Sequence, residues 1–327
     1  MLSKAKLDES EAGPFKIETM SLAADDSSDT KQDEKSTTVT VAGDVTFATD
    51  SDQLSAQADR VLASVVEQIK KYPSGGELTI TGHTDDVADD AHNQDLSERR
   101  AKAVSERLKK LTDLSAWKES VSGKGESSPR VANDTDEHRQ VNRRVEITLT
   151  PSKPAEASAA PSASAAPSSA MPKATGPVGK GPEGVDVKID GKTVRMVIDH
   201  VVRVGGYLTG KVVLTSSEAV SMPVAPFSLP GKMMDMRGLG VFGVSGITIL
   251  SGGLRYLEAD YTYSDGSRYP LANGFVYDLE PEASQSLPVV WPDVGGSSVT
   301  IDMPAGEYLY TKERVVARLT DIPVVNA

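Results

Sequence analysis

Asp85, Asn93 and Arg100 fall within one stretch, TGHTDDVADDAHNQDLSERRAKAV at 81 to 104, and NRRVEITL follows at 142 to 149. On a helix, offsets of three, four and seven residues stack, so Asn93, Leu96, Arg100 and Val104 share one face. A turn that brings Asp85 to the same rim would set a carboxylate, a guanidinium and an amide side by side. Such a trio suits a ligand carrying both ammonium and carboxylate, because arginine grips a carboxylate in a bidentate fork and aspartate accepts from an ammonium.

Positioning these groups requires a strand and a helix, and both are written nearby. Glu77 to Thr81, ELTIT, reads as a short strand, and residues 91 to 111 read as a helix with apolar positions at Leu96, Ala103, Val104, Leu108 and Leu111. Upstream, Val39, Val41, Val45 and Phe47 alternate around a Gly-Asp turn in TVTVAGDVTF, as paired strands do. Leu54, Ala58, Val61, Leu62, Val65, Val66 and Ile69 draw one stripe along a helix at 55 to 71, closed by Pro73 and the Gly75-Gly76 pair. A strand near 119 to 122, a polar connection and a last strand carrying Val145, Ile147 and Leu149 complete the order β-α-β-α-β-β. This is an α+β fold with two helices on one face of a small sheet.

The string GHTDD…N..LSERRA..V…L, preceded by VTFATDSDQLS and followed by NRRVEI, resembles the OmpA-like C-terminal domain, over about residues 38 to 150. The resemblance implies a module that binds peptidoglycan without cleaving it and grips the diaminopimelate of the stem peptide with Asp85 and Arg100. It also implies that Thr84 shapes the turn, that Asn93 adds hydrogen bonds, that Asn142 and Arg143 border the pocket, and that Asp50 and Ser51 give further contacts. One position departs from the family pattern: Ala88 stands where a glycine is usual. If that site needs positive φ, alanine costs about 1 kcal/mol there. Asp86, Asp89 and Asp90 also make the rim more acidic than a two-residue clamp requires.

Plainer roles exist for the same residues. Asp85 could cap a turn, and Arg100 could belong to the charged face formed with Glu98, Arg99, Lys102 and Glu106. The four aspartates at 85, 86, 89 and 90 could bind calcium, although they lack EF-hand spacing and its terminal glutamate. His83 and His92 suggest zinc only weakly, since His83 has a structural place in the turn. No nucleophile elbow, phosphate-cradling glycine loop or His-Glu-x-x-His helix is present, so no catalytic residue, cofactor or metal is expected. Asp134, Asp136, Glu137 and His138 read as a solvated loop.

The 327 residues leave room for two domains, and a formal net charge of -12 argues against a nucleic-acid partner. There is no cysteine, which excludes disulfides and thiolate chemistry. Residues 1 to 37 read as a disordered acidic tail without an export signal. Residues 151 to 184, rich in Ala, Ser and Pro, read as a semi-stiff linker. Residues 185 to 327 read as an all-β domain resembling an immunoglobulin-like sandwich, with a hairpin at Asp265-Gly266. Met233, Met234 and Met236 form a local patch, and no membrane-spanning segment is evident, the uncharged run at 238 to 254 being too short. Together these features suggest a two-domain protein of the cell envelope, bound to peptidoglycan at one end, with a possible protein partner for its C-terminal domain. The alternative is an extracellular structural or adhesive protein acting through that second domain.

Overall fold

The computed structural model describes residues 16 to 48, 50 to 153, 171 to 231, 233, 244 to 262, 268 to 272, 276 to 306 and 314 to 327. It corrects the N-terminal expectation first. Lys16–Ala23 (β1) and Ser28–Gln32 (β2) form an antiparallel hairpin, with Leu22 opposite Asp29, where a tail was expected. Composition misleads here because a strand needs apolar residues only on alternate positions, and the backbone supplies the rest of the pairing. Glu18, Met20 and Leu22 make up the buried face of β1, and the two apolar members meet Leu229 and Leu257, with Met233 half-buried beside them. The other two methionines of that patch, Met234 and Met236, lie outside the described residues.

Next come Thr37–Ala42 (β3), Gly43–Thr46 (α1), Ala58–Lys70 (α2), Gly76–His83 (β4), Asp90–Leu111 (α3), Trp117–Gly123 (β5), Asp136–Asn142 (α4) and Arg144–Pro151 (β6). The sheet order is β5-β4-β6-β3, parallel between β4 and β5 and antiparallel elsewhere. Val39 and Val41, Leu78 and Ile80, and Val145, Ile147 and Leu149 point from three of these strands into one core against Val61, Leu62, Val65, Val104 and Leu108. Each such side chain contributes about 1.5–3 kcal/mol of burial. The apolar stripes read from the sequence are therefore the faces that pack.

Two short helices correct the expected order. The Gly-Asp step at 43 and 44 opens α1 instead of a hairpin turn, and Gly43 approaches so closely that a Cβ there would lie 2.7 Å from the Arg143 carbonyl oxygen. The supposed solvated loop contains α4, whose first turn is capped by the Thr135 hydroxyl accepting from His138 N at 3.1 Å. His138 also pairs with Asp134.

The remaining elements are strands: Val178–Lys180 (β7), Val185–Ile189 (β8), Lys192–Val197 (β9), Val201–Val204 (β10), Tyr207–Thr215 (β11), Thr248–Ser251 (β12), Leu254–Tyr256 (β13), Asp260–Thr262 (β14), Arg268–Pro270 (β15), Ser284–Pro292 (β16), Ser298–Met303 (β17) and Ala317–Asn326 (β18). They pair as β8-β9-β11-β16 with β10 beside β11, and as β13-β12-β17-β18-β7, and a parallel pairing of β10 with the end of β18 joins the two sets. One core draws on both, from Val194, Met196, Val212 and Leu214 to Ile249, Ile301 and Leu319. Tyr261 and Tyr269 stack across β14 and β15 with centroids 5.8 Å apart, and the Asp265-Gly266 turn between them is outside the described residues. Most of the expected linker, 154 to 170, is also outside them, and its end is corrected: β7 already pairs in parallel with β18.

The hairpin joins the two halves. β2 pairs with β3, and β1 pairs with β13 and β14, so one ladder runs β5-β4-β6-β3-β2-β1-β13-β12-β17-β18-β7. Among the described residues no helix is long and apolar enough to cross a membrane.

Candidate functional site: a charged cavity between β4 and α3

Thr84 and Asp85 leave the end of β4, where Gly82 lets strand and helix touch: a Cβ there would sit 2.1 Å from the Ser97 carbonyl oxygen of α3. Glycine at this contact brings the turn onto the helix that carries Asn93 and Arg100. Asp89 caps α3 by accepting from His92 N at 3.0 Å, and Asp90 adds negative charge to its first turn. Asn93, Leu96, Arg100 and Val104 are all buried, as their shared face requires.

These elements enclose a cavity of about 670 Å³. Thr84, Asp85, Asn93, Arg100, Arg143 and Asp50 line it, so six of the eight residues singled out in the sequence meet at one place. Its apolar wall comes from Phe47, Leu96, Val87 and Ala88. Asp44, Phe47, His92 and Val87 were not identified as site residues; Asp44 was hidden by its reading as a turn residue.

Arg143 is fully engaged. Its Nε and Nη2 donate to the two Asp44 oxygens, each at 2.7 Å, and its Nη1 donates to Asp85 Oδ2 at 2.6 Å. The Asp44 bonds and then the Asp85 bond hold this guanidinium well above its ordinary pKa. Arg100 is different. It is 5% exposed, its Nε donates to the Ser51 carbonyl at 2.9 Å, and its guanidinium carbon lies 5.1 Å from the centroid of the Phe47 ring. Among the described residues Nη1 and Nη2 have no hydrogen-bond partner. Burial lowers its pKa, Asp44 and Asp50 oppose that shift, and Arg143 adds to it. Arginine nevertheless remains a cation in proteins.

The carboxylate of Asp85 is buried, and among the described residues its Oδ1 is engaged only by a long 3.4 Å contact from Val87 N. Asn93 Nδ2 donates to the carbonyls of Asp85 and Ala88, both at 3.1 Å, and to Glu126 Oε2 at 2.5 Å, fixing the turn from within. Thr84 is 3% exposed, and its Oγ1 has no hydrogen-bond partner among the described residues. At the mouth, His92 Nε2 donates to Asp50 Oδ1 at 2.9 Å, and Asp50 sits at φ 47°, a left-handed conformation that aspartate tolerates.

Three expectations change. Asn142 does not line the cavity: it is fully buried, its Oδ1 accepts from the amides of Arg130 and Val131 at 2.7 and 3.1 Å, and its Nδ2 donates to the Val131 carbonyl and to Asn133 at 2.8 Å. Ser51 contributes only its carbonyl, since its hydroxyl accepts from Gln53 N at 3.0 Å. Ala88 is not among the residues with positive φ, so the backbone strain anticipated for it does not arise. Two of the three surplus acids have structural partners, with Asp86 accepting from Arg139 Nε at 3.0 Å and Asp89 serving as the cap.

Residues 46 to 143 match the sequence model of the OmpA family. Outer membrane porin F of Pseudomonas aeruginosa is 40% identical over 111 residues, which is 34% of this chain and 31% of that protein. Outer membrane protein A of Escherichia coli O157:H7 is 34% identical over 120 residues, 34% of each chain. The chain thus spans about a third of the length of these relatives. Among solved structures, the cell wall anchor of the T6SS from Pseudomonas aeruginosa is similar at 28% identity and a TM-score of 0.34, over 38% of this chain and 88% of that one. Residues 46 to 143 of this chain are an OmpA-family domain.

Proposed function

We propose that the cavity binds peptidoglycan without cleaving it, taking the diaminopimelate of a stem peptide, with its carboxylate on Arg100 and its ammonium on Asp85. The observation that carries this reading is Arg100: a buried guanidinium whose two terminal amino groups are unpaired among the described residues and border a cavity. Buried donors without acceptors are costly, and a ligand carboxylate would satisfy both nitrogens at once. Asp85 retains a carboxylate oxygen with only a 3.4 Å amide contact, which leaves it an acceptor for an ammonium. Membership of residues 46 to 143 in the OmpA family supports a wall ligand, and relatives named as outer membrane proteins support a place in the cell envelope. The C-terminal strands, whose two sets share one core and are joined where β10 pairs with β18, support a β-sandwich fixed to that anchor.

Purified diaminopimelate-type peptidoglycan should retain the full chain and lose both Asp85→Ala and Arg100→Ala, with circular dichroism unchanged. Retention of both variants would refute the clamp. Lysine-type peptidoglycan, which lacks the second carboxylate, should retain the wild type far less; equal retention would refute the diaminopimelate assignment.

A further inference from the structure

The segment from Lys124 to Asn133 contacts two residues of the cavity lining, Thr84 and Asn93, at one end and the N-terminal hairpin at the other. Near the cavity, the Gly125 carbonyl accepts from Thr84 N at 3.0 Å, Gly125 N donates to the buried Ser97 hydroxyl at 2.9 Å, and Glu126 receives Asn93 Nδ2. Six residues along the chain from Lys124, Arg130 turns to β2, where Nη1 and Nη2 donate to the two Asp29 oxygens at 2.8 and 3.1 Å. Both side chains are largely buried, 18% and 6% exposed. Asn142 pins the same stretch from below, and the residue after it is Arg143 of the cavity. Asp29 stands opposite Leu22, and Leu22 stands opposite Arg255, so this pair also sits on the row that crosses into the C-terminal strands.

We propose that Asp29 and Arg130 are positioning residues for the cavity, so that the N-terminal hairpin holds Thr84 and Asn93 in place through the 124 to 133 segment. The physical ground is that a bidentate buried pair has one favoured geometry, and the segment has no comparable tie to β2 among the described residues. A hairpin remote from the ligand thereby enters the binding site, and it is the hairpin that joins the C-terminal strands.

The ligand part of this inference rests on the peptidoglycan reading, whereas the positioning part is read without ligand. Amide hydrogen exchange on the full chain compares wild type with Asp29→Asn, Arg130→Gln and the double variant. Exchange at Thr84 and Gly125 should quicken about tenfold in each single variant, with no further gain in the double, while Ile80 in β4 stays unchanged. Asp25→Asn, which removes the exposed pair between the hairpin turn and Arg60 of α2, should leave Thr84 and Gly125 unaltered. Unchanged exchange in Asp29→Asn, or equal quickening at Ile80, would overturn the proposal. Retention on diaminopimelate-type peptidoglycan should fall about fivefold in Asp29→Asn, in step with the exchange. A wild type that does not bind would sink the peptidoglycan reading while the exchange result still decides the positioning role; exchange that quickens without loss of retention would overturn the link to binding.

Discussion

Arg100 in the pocket domain and Arg255 in the C-terminal strands are both buried arginines, yet their charges are met in opposite ways. Arg255 donates to Asp302 Oδ2 at 2.7 Å and to the Thr248 hydroxyl at 2.6 Å, while Arg318 Nε takes the other Asp302 oxygen at 2.8 Å. The whole group is buried, and burial lowers the Arg255 pKa while Asp302 opposes the shift. Among the described residues Arg100 meets a carbonyl and an aromatic face, and the rest of its guanidinium borders a cavity. Burial of a charged side chain is thus no sign of a ligand by itself. The sign is a buried guanidinium whose terminal nitrogens have no hydrogen-bonded carboxylate.

The largest effect that would test this contrast is on stability. Asp302→Asn leaves two buried guanidinium groups without their carboxylate and should lower unfolding free energy by about 3–5 kcal/mol in denaturant titration. Arg100→Ala should change the same quantity by no more than about 1 kcal/mol, since a buried guanidinium with no hydrogen-bonded carboxylate is being removed. If both variants lose equal stability, the distinction between a structural and a ligand-facing arginine collapses.

Binding should show the reverse order. Arg100→Ala should weaken retention on diaminopimelate-type peptidoglycan about 100-fold, equivalent to about 2.8 kcal/mol. Asp302→Asn, assayed at a temperature where it is folded, should bind as wild type does.

The two regions should also fail at opposite ends of the pH range. His83 is 4% exposed, and burial, followed by Arg144, depresses its pKa to about 4 from 6.5. The unfolded chain therefore binds the extra proton, so the stability owed to neutral His83 is whole above pH 6.5 and drains away as pH falls towards 4. Tyr256 is buried in the C-terminal region, and burial raises its pKa to about 12 from 10.0, so its contribution is whole below pH 10 and is lost as pH rises through 12. Each limb should be worth roughly 1–3 kcal/mol in unfolding titrations. Tyr256→Phe should flatten the alkaline limb alone; a change in the acid limb would contradict the assignment.

The smallest effect concerns the ring beneath Arg100. Phe47→Leu keeps the apolar wall but removes the cation–π contact, and should weaken binding by about 0.5–1 kcal/mol, a few-fold by calorimetry.

Some of this was legible in the chain because it is local. The face shared by Asn93, Leu96, Arg100 and Val104 follows from helix period alone, and the alternation of Val145, Ile147 and Leu149 follows from strand period, so both could be read without partners. The α4 cap was also readable, since Thr135 followed by Asp136 and Glu137 is a helix-start signature that the run of polar residues obscured. The strands at 16 to 32 were not readable, because β1 is held by β13 and β14, more than two hundred residues downstream, and its own composition gives no sign of them. Nor was the engagement of Arg143 by Asp44, a contact spanning 99 positions.

The sequence by itself determined which side chains could reach the cavity: the Asp85 turn, the helix face of Asn93 and Arg100, and the apolar stripes that seat them against the sheet. Only the tertiary structure decided which charges were already satisfied there. Asp44 neutralises Arg143, Asn142 turns away to hold a loop, and Arg100 keeps two nitrogens without a hydrogen-bond partner among the described residues. The reason is that helix and strand periods act over a few neighbouring residues, whereas charge compensation depends on distance in space, which is set by strands paired across the whole chain.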